Sequence, residues 1–343
     1  MPNEIEGHED AFLMAATPEP RIRILLEYAV RAPSTHNTQP WQFRIGTDSV
    51  DIIPDVRLQL PKADPLGRDL FISIGCCVEN LSIAAKRFRV FAGATTENGE
   101  GRPFVRVRFT HDVLPKEGTD APHMEELAQA VLLRRNTRGR FEKTPLDPEA
   151  RKRLSRVEPE GETDVVFIED GNAIRRIAEL TEAGFRLAHA DVAFRKELAG
   201  WMHSSFTKKR DGMPGYSMRI PKLISLVLPM MLKRRDLSDK LAPINRESVA
   251  SAPLICVLGS HEENPAGWVD VGRTAERLML ESWAAGLKTS IFVASVEMGD
   301  FRHEVQQIAD LAAPPQFLFC IGKLDSPQGL TPRRTVEEKM LRT

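Results

Sequence analysis

Two stretches of this chain repeat one another at a fixed distance. Ser73-Ile74-Gly75 is followed by Glu79 and Leu81, and Asp270-Val271-Gly272 is followed by Glu276 and Leu278. Gly272 lies 197 residues after Gly75, and Glu276 lies 197 residues after Glu79. Both segments are apolar, helix-length runs opening at a glycine. Each is followed by a strand introduced by proline, Pro103–Phe109 in one case and Pro315–Ile321 in the other. Gly-x-x-x-Glu-x-Leu alone is a cheap pattern, but three features recurring in one order point to duplication, two related halves in one chain. With 343 residues, of which 42% are hydrophobic and 28% charged, the chain has the length for two such units and the composition for a full core.

Local patterns place the elements. Helical spacing of Ile22, Leu25, Leu26, Ala29 and Val30 predicts a helix over 21–32 that Pro33 stops. Residues 1–19, ending in Pro18, are expected to be a loose arm. Short strands are expected at 41–45 and 50–53, a helix at 71–88, and an alternating strand at 104–109. Residues 111–123 are read as a linker. Beyond it come helices at 124–134 and 148–157, a strand at 165–168, and helices at 173–188 and 191–202. An irregular stretch rich in Lys, Arg, Met, Gly and Pro covers 200–249. The order then is strand 254–258, helix 271–285, strand 289–294, helix 300–311 and strand 316–321. The halves are set at 20–115 and 124–343, with an insert at about 200–250.

Several function classes lose ground at once. Lys and Arg number 47 against 48 Asp and Glu, a net charge of -1, so the basic excess of a nucleic-acid binder is missing. The four cysteines, Cys76, Cys77, Cys256 and Cys320, lack metal spacing and are expected to be buried reduced thiols; a bridge between neighbours Cys76 and Cys77 would be strained. No P-loop, no Gly-rich dinucleotide fingerprint after a strand, and no HExxH or GxSxG motif occurs. The opening residues have neither a basic n-region nor an apolar h-region. The apolar run 223–232 is broken by Pro229 and falls short of the roughly 20 residues of a membrane span. A cytoplasmic protein without stable membrane insertion is expected.

The most informative stretch is Arg31-Ala-Pro-Ser-Thr-His-Asn-Thr-Gln-Pro-Trp-Gln-Phe43. It joins a helix to a strand, and Pro33 and Pro40 stiffen it, lowering the entropy lost when a binding loop is held. Ser34, Thr35, Asn37 and Gln39 each donate and accept hydrogen bonds, which suits the edge of a planar heterocycle. The residues alone fit a helix-ending turn with an N-cap equally well.

This run resembles the signature loop of the FMN-dependent nitroreductase family. Other segments resemble that family in order. Leu133-Arg-Arg-Asn-Thr-Arg-Gly-Arg-Phe141 is similar to its Arg-x-Ser-x-Arg element, which holds the flavin phosphate and pyrimidine side. Ala284-Ala-Gly-Leu-Lys-Thr-Ser-Ile-Phe292 is similar to the segment leading to backbone groups near flavin N5, here Val293 and Ala294. Phe317–Gly322 resembles the last core strand, and Thr331-Pro-Arg-Arg334 the basic tail that reaches the phosphate. The resemblance spans roughly 20–335. It implies an α+β fold, with a mixed central sheet flanked by helices and FMN at the seam of the halves. It implies cofactor contacts from Pro33, Ser34, Thr35, Asn37, Gln39, Arg134, Asn136, Arg138, Val293, Ala294, Arg333 and Arg334. Counting back from Phe141 gives the other register, Arg135 and Thr137; the first register keeps both cations. No side chain need be catalytic, because flavin N5 carries the chemistry.

Order departs from ordinary members of the family. Here the Pro-Ser loop precedes the arginine element, and nothing like that element precedes Arg31. The chain is similar to the Acg-like branch, a fused pseudo-dimer with one composite site, and a monomer is expected. NAD(P)H is the implied electron donor and a nitroaromatic, quinone or similar small molecule the implied acceptor. The alternative is a protein that sequesters FMN under a lid. The apolar block in the insert leaves three readings open: core, lid over the flavin, or contact with a membrane surface.

Overall fold

The computed structural model describes residues 2–99, 101–110, 121–298, 300–324 and 328–341. The first part carries α1 (Pro2–Met14), α2 (Pro18–Ala29), β1 (Trp41–Ile45), β2 (Ser49–Pro54), α3 (Arg68–Arg87), β3 (Phe91–Gly99) and β4 (Arg102–Phe109). The second opens with α4 (Ala121–Leu133), α5 (Pro148–Ser155), β5 (Thr163–Ile168), α6 (Gly171–Ala190) and α7 (Val192–Trp201). There follow β6 (Met202–His203), β7 (Met213–Pro214), α8 (Lys222–Arg234), α9 (Ser238–Ala250), β8 (Leu254–Ser260) and α10 (Pro265–Ala284). It closes with β9 (Lys288–Ile291), α11 (Ala294–Glu297), α12 (Phe301–Ala309), β10 (Pro315–Gly322) and α13 (Val336–Lys339). Residues 111–120 of the expected linker lie outside the described residues, and 121–123 already belong to α4.

The architecture is α+β. The expected mixed central sheet is corrected to two four-stranded sheets, ordered β1-β2-β4-β3 and β5-β8-β10-β9, with every pairing antiparallel. The reason is connectivity. After α3 the chain returns to the far edge as β3, and the hairpin strand β4 slots between β3 and β2, so no parallel neighbours arise. The second sheet is built the same way, with α10, β9 and β10 in the corresponding places. Among the described residues, parallel pairing is confined to the short β6–β7 pair and to single bridges, Met340 on Phe43 of β1 and Asn136 on Thr289 of β9.

The repeat in the sequence is a reciprocal contact in space. Helices α3 and α10 cross at their glycines. A Cβ on Gly75 would lie 2.1 Å from the Val269 carbonyl oxygen, and a Cβ on Gly272 would lie 2.1 Å from that of Ile72. Val269 is 197 residues after Ile72, so the contact maps onto itself, as at a two-fold interface. Of the paired glutamates, Glu79 reaches across and Glu276 is held within the second part. Glu79 accepts from Arg277 Nε at 2.7 Å, and Glu276 lies 3.2 Å from Arg134 Nε. The main core runs through both sheets and both helices, with Trp41, Phe43, Ile74, Leu81, Leu278 and Phe319 buried in one cluster. Gly75→Ala or Gly272→Ala should each lower stability by about 1–3 kcal/mol, the cost of overpacking against a rigid neighbour. Thermal unfolding checks this; a variant melting like the parent would mean the helices part freely.

Three local expectations change. Residues 2–19 are mostly helical rather than a loose arm: Pro18 sits in the first turn of α2, where a missing N–H costs nothing. Phe12 of α1 is buried and stacks on Phe88 at 4.4 Å. Strand β3 carries little β-branched or apolar signal and is held by its hairpin with β4. The stretch 200–249 contains two helices, α8 and α9, that run through Pro229 and Pro243. All four cysteines are free and buried.

Candidate functional site

The loop between α2 and β1 is strained. His36, Asn37 and Gln39 all have left-handed backbones, with φ of 53°, 55° and 54°, a cost of about 1–3 kcal/mol each where the residue is not glycine. The surroundings hold them there. Ser34 Oγ accepts from the Gln39 N–H at 2.9 Å. Asn37 Nδ2 donates to the carbonyls of Gly212 at 2.9 Å and Pro332 at 3.1 Å. Gln39 donates to the Arg210 carbonyl at 2.7 Å and accepts from the Arg334 N–H at 2.8 Å, and Lys339 Nζ donates to the Gln39 carbonyl. The loop is thus tied to the segment 210–212 and to the tail.

A cavity of about 240 Å³ opens where this loop meets the second sheet. Pro33, Ser34, Thr35 and Asn37 form one wall with Ile72, Ser73 and Cys76 of α3. Arg134, Asn136, Arg138, Val293, Phe317 and Arg333 form the other, and Met213, Ser217 and Met218 close the top. Nine of the twelve expected residues therefore meet at one seam. Gln39, Ala294 and Arg334 do not line it. Gln39 is wholly engaged as described, the Ala294 carbonyl backs onto Gly184 of α6, and Arg334 turns away to Asp211.

The cations differ in what surrounds them. Arg134 is committed to Glu276, a fully buried carboxyl that burial pushes up to about 7 against the pull of Arg134. Arg333 has no carboxylate partner among the described residues. Its Nη1 donates to Asn37 Oδ1 at 2.8 Å and to Thr331 Oγ1 at 2.5 Å, and its Nε is buried without a partner. Burial, with Arg134 and Arg31 nearby, pushes its guanidinium down to about 9. Arg138 likewise has no ion pair among the described residues: it makes one long contact to the Ile291 carbonyl, 3.4 Å, and lies over the Phe292 ring at 5.3 Å. Burial lowers it too. Asn136 anchors this edge, its Oδ1 accepting from the Ile291 N–H at 3.1 Å.

Sequence reasoning did not find the acidic side of the cavity. Thr35 Oγ1 donates to Asp69 at 3.0 Å. Glu297 is pushed well above the usual carboxyl range by burial and by Asp69, to which it is hydrogen-bonded. Asp64 is pushed up to about 6 by burial and by Asp69. His36 is pushed down to about 4 by burial, which favours its neutral form. Asp69 and Glu297 lie 228 residues apart, and no local pattern announces their meeting.

The top of the cavity is latched. Arg334 pairs with Asp211, which also lies 3.4 Å from His203 Nε2. Arg210 pairs with Glu338 at 3.1 Å, and Arg219 donates to the Arg138 carbonyl at 3.1 Å. The insert therefore splits. Segment 202–220 caps the cavity, α9 buries Ala242 and Val249, and α8 packs by Leu228 and Leu232 on Ala199 and Met202.

The loop from the first part and the arginine edge from the second thus face one another across one cavity. No protein-family model matches the chain. It is 24% identical over 327 residues to a protein of Mycobacterium tuberculosis strain H37Rv that bears the provisional name NAD(P)H nitroreductase Acg. The alignment covers 92% of this chain and 94% of that one. The chain is thus similar to Acg along nearly its whole length. A second protein of that strain, also provisionally named an NAD(P)H nitroreductase, is 41% identical over 63 residues, 18% of each chain. Among solved structures, the FMN-dependent nitroreductase NfnB of Mycobacterium smegmatis, in complex with NADPH, overlays 64% of this chain and 98% of its own. The identity is 18% and the TM-score 0.41.

Proposed function

We propose that the chain is an FMN-binding oxidoreductase that takes electrons from NAD(P)H and passes them to a nitroaromatic, quinone or similar small acceptor. The observation carrying this reading is the pair Arg138 and Arg333. Two partly buried guanidiniums without carboxylate partners among the described residues suit an anion that completes them, and the buried Nε of Arg333 is a donor with nothing to donate to. The donor set fits a phosphate-bearing planar ligand. Arg333 would hold the phosphate, with Arg134 nearby, because a guanidinium presents the fork that phosphate needs. Arg138, flanked by Asn136, would set a positive charge at the pyrimidine edge, where charge tunes flavin potential. Bound FMN would supply hydride transfer between donor and acceptor. Ser34 and Thr35 would orient the ring, the cap would exclude water, and Glu297 would hold a proton at the cavity wall.

The halves 20–115 and 124–343 would share this one site. A second seam cavity of about 980 Å³ lies across α3 and α10, but most of its arginines are held by carboxylates. Arg273, 197 residues after Cys76, pairs with Glu160 at 2.7 Å; Arg277 pairs with Glu79 and Arg153 with Glu281, both at 2.5 Å. Neither the 33–41 loop nor the arginine edge at 134–138 lines this second cavity. Flavin released from saturated protein should therefore come to one per chain, by reverse-phase quantification; two per chain would overturn the single composite site. A second reading, FMN sequestration, is favoured by the latched cap, whose Met213 and Met218 stand in the cavity. NAD(P)H oxidation by the flavin-loaded protein with a quinone present separates the two. Among the described residues no helix is long and apolar enough to cross a membrane, and we read the protein as a cytoplasmic monomer.

A further inference from the structure

Helix α8 leaves an apolar face uncovered. Ser225, Leu228 and Leu232 turn inward. Leu223, Ile224, Leu226, Val227, Met230 and Met231 are exposed, Leu223 at 76% and Leu226 at 55%. Single exposed hydrophobic residues need no account, but six on one thirteen-residue helix make a continuous ridge.

The charge around this ridge is one-sided. From 206 to 235 the chain carries eight Lys and Arg against one acid, Asp211, and Asp211 is taken by Arg334. Of the next acids, Asp239 pairs with Arg186, and Asp236 accepts from the Ser238 N–H. Lys222 at one end of α8, and Lys233, Arg234 and Arg235 at the other, are exposed and have no ion-pair partner among the described residues.

We propose that α8 docks in the plane of an anionic lipid surface, its ridge in the interfacial layer and its terminal cations on headgroup phosphates. An apolar face with Lys and Arg beside it is what such a surface selects. At 1.5 Å per residue the helix is about 20 Å long, too short to span a bilayer and suited to lying on one. A second copy of this chain fits the face poorly, because it would bring two sets of the same unpaired cations together. An uncharged protein groove would take the ridge and leave the cations unused.

Flotation of the full chain with vesicles tests this, with phosphatidylglycerol in one set and phosphatidylcholine in the other. Roughly tenfold more protein should float with phosphatidylglycerol, and the difference should vanish in about 0.5 M salt, where exposed charges are screened. The charge-reversed variant Lys222→Glu, Lys233→Glu, Arg234→Glu, Arg235→Glu should lose this binding. Leu223→Ser, Leu226→Ser, Met230→Ser should lose it as well. Both variants change exposed side chains and should keep the parent melting temperature. Absence of binding, or equal binding to both vesicles, overturns the proposal. So does a dimer in light scattering that the serine variant dissolves, which would assign the ridge to a second copy.

Discussion

Arg333→Ala should weaken FMN binding by about 1.5–3 kcal/mol, the range for a hydrogen bond to a charged group, or roughly 10- to 150-fold. Arg138→Ala should fall in the same range if it faces the pyrimidine edge. Arg134→Ala is expected to act differently, because its guanidinium already serves Glu276. Its removal leaves a buried carboxyl that sits at about 7 and is eased into its neutral form, so the loss should appear partly in stability. The pH dependence carries a sign. Arg333 in the free protein is held down to about 9, and the phosphate binds its charged form. Affinity should be level below about pH 9 and fall as pH rises through that value, by up to tenfold per unit. Arg333→Ala should flatten this slope. Flavin titrations between pH 7 and 10 read both effects. Unchanged affinity in Arg138→Ala and Arg333→Ala together would move the phosphate elsewhere, with Arg135 and Thr137 the next residues to change.

Much of this site was legible, for reasons that differ by residue. The helices carrying Gly75 and Gly272 announce themselves as a repeated apolar run opening at glycine; that they cross at those glycines is seen only in the fold. The 33–41 loop is legible because prolines bracket a cluster of short donors and acceptors. What each of those residues does was not legible. Asn37 and Gln39 spend their amides on the 210–212 and 332–334 backbones, a role that depends on segments roughly 170 to 300 positions away. Arg333 and Arg334 are chemically alike, and only the fold turns one to the cavity and the other to Asp211. The apolar block at 223–232 left core, lid and membrane-surface readings open, and most of it faces outward, because only Leu228 and Leu232 pack on Ala199 and Met202. The acidic wall of Asp69 and Glu297 needed the tertiary structure outright.

Loosening the cap should raise turnover while the flavin stays bound. Ligand cavities for molecules of this size usually measure about 300–1,000 Å³; the seam cavity has about 240 Å³ with Met213 and Met218 standing in it. Hydride transfer needs the donor within about 3–3.5 Å of the accepting atom, so a nicotinamide and the cap methionines compete for one space. The latch holding the methionines is polar and partly exposed. Arg334 on Asp211 and Arg210 on Glu338 are pairs of the kind worth about 0.2–1 kcal/mol each. Asp211→Ala with Arg210→Ala and Met218→Ala should therefore shift closure by about 1–2 kcal/mol and raise NAD(P)H oxidation with a quinone severalfold to tenfold or more. None of the three holds the phosphate, so flavin content should stay at one per chain. Activity that falls while flavin is retained would show that the cap builds the substrate pocket, and sequestration would lose its main support. Activity that stays at zero with the cap released and flavin in place would count against the oxidoreductase reading and leave the protein a flavin holder.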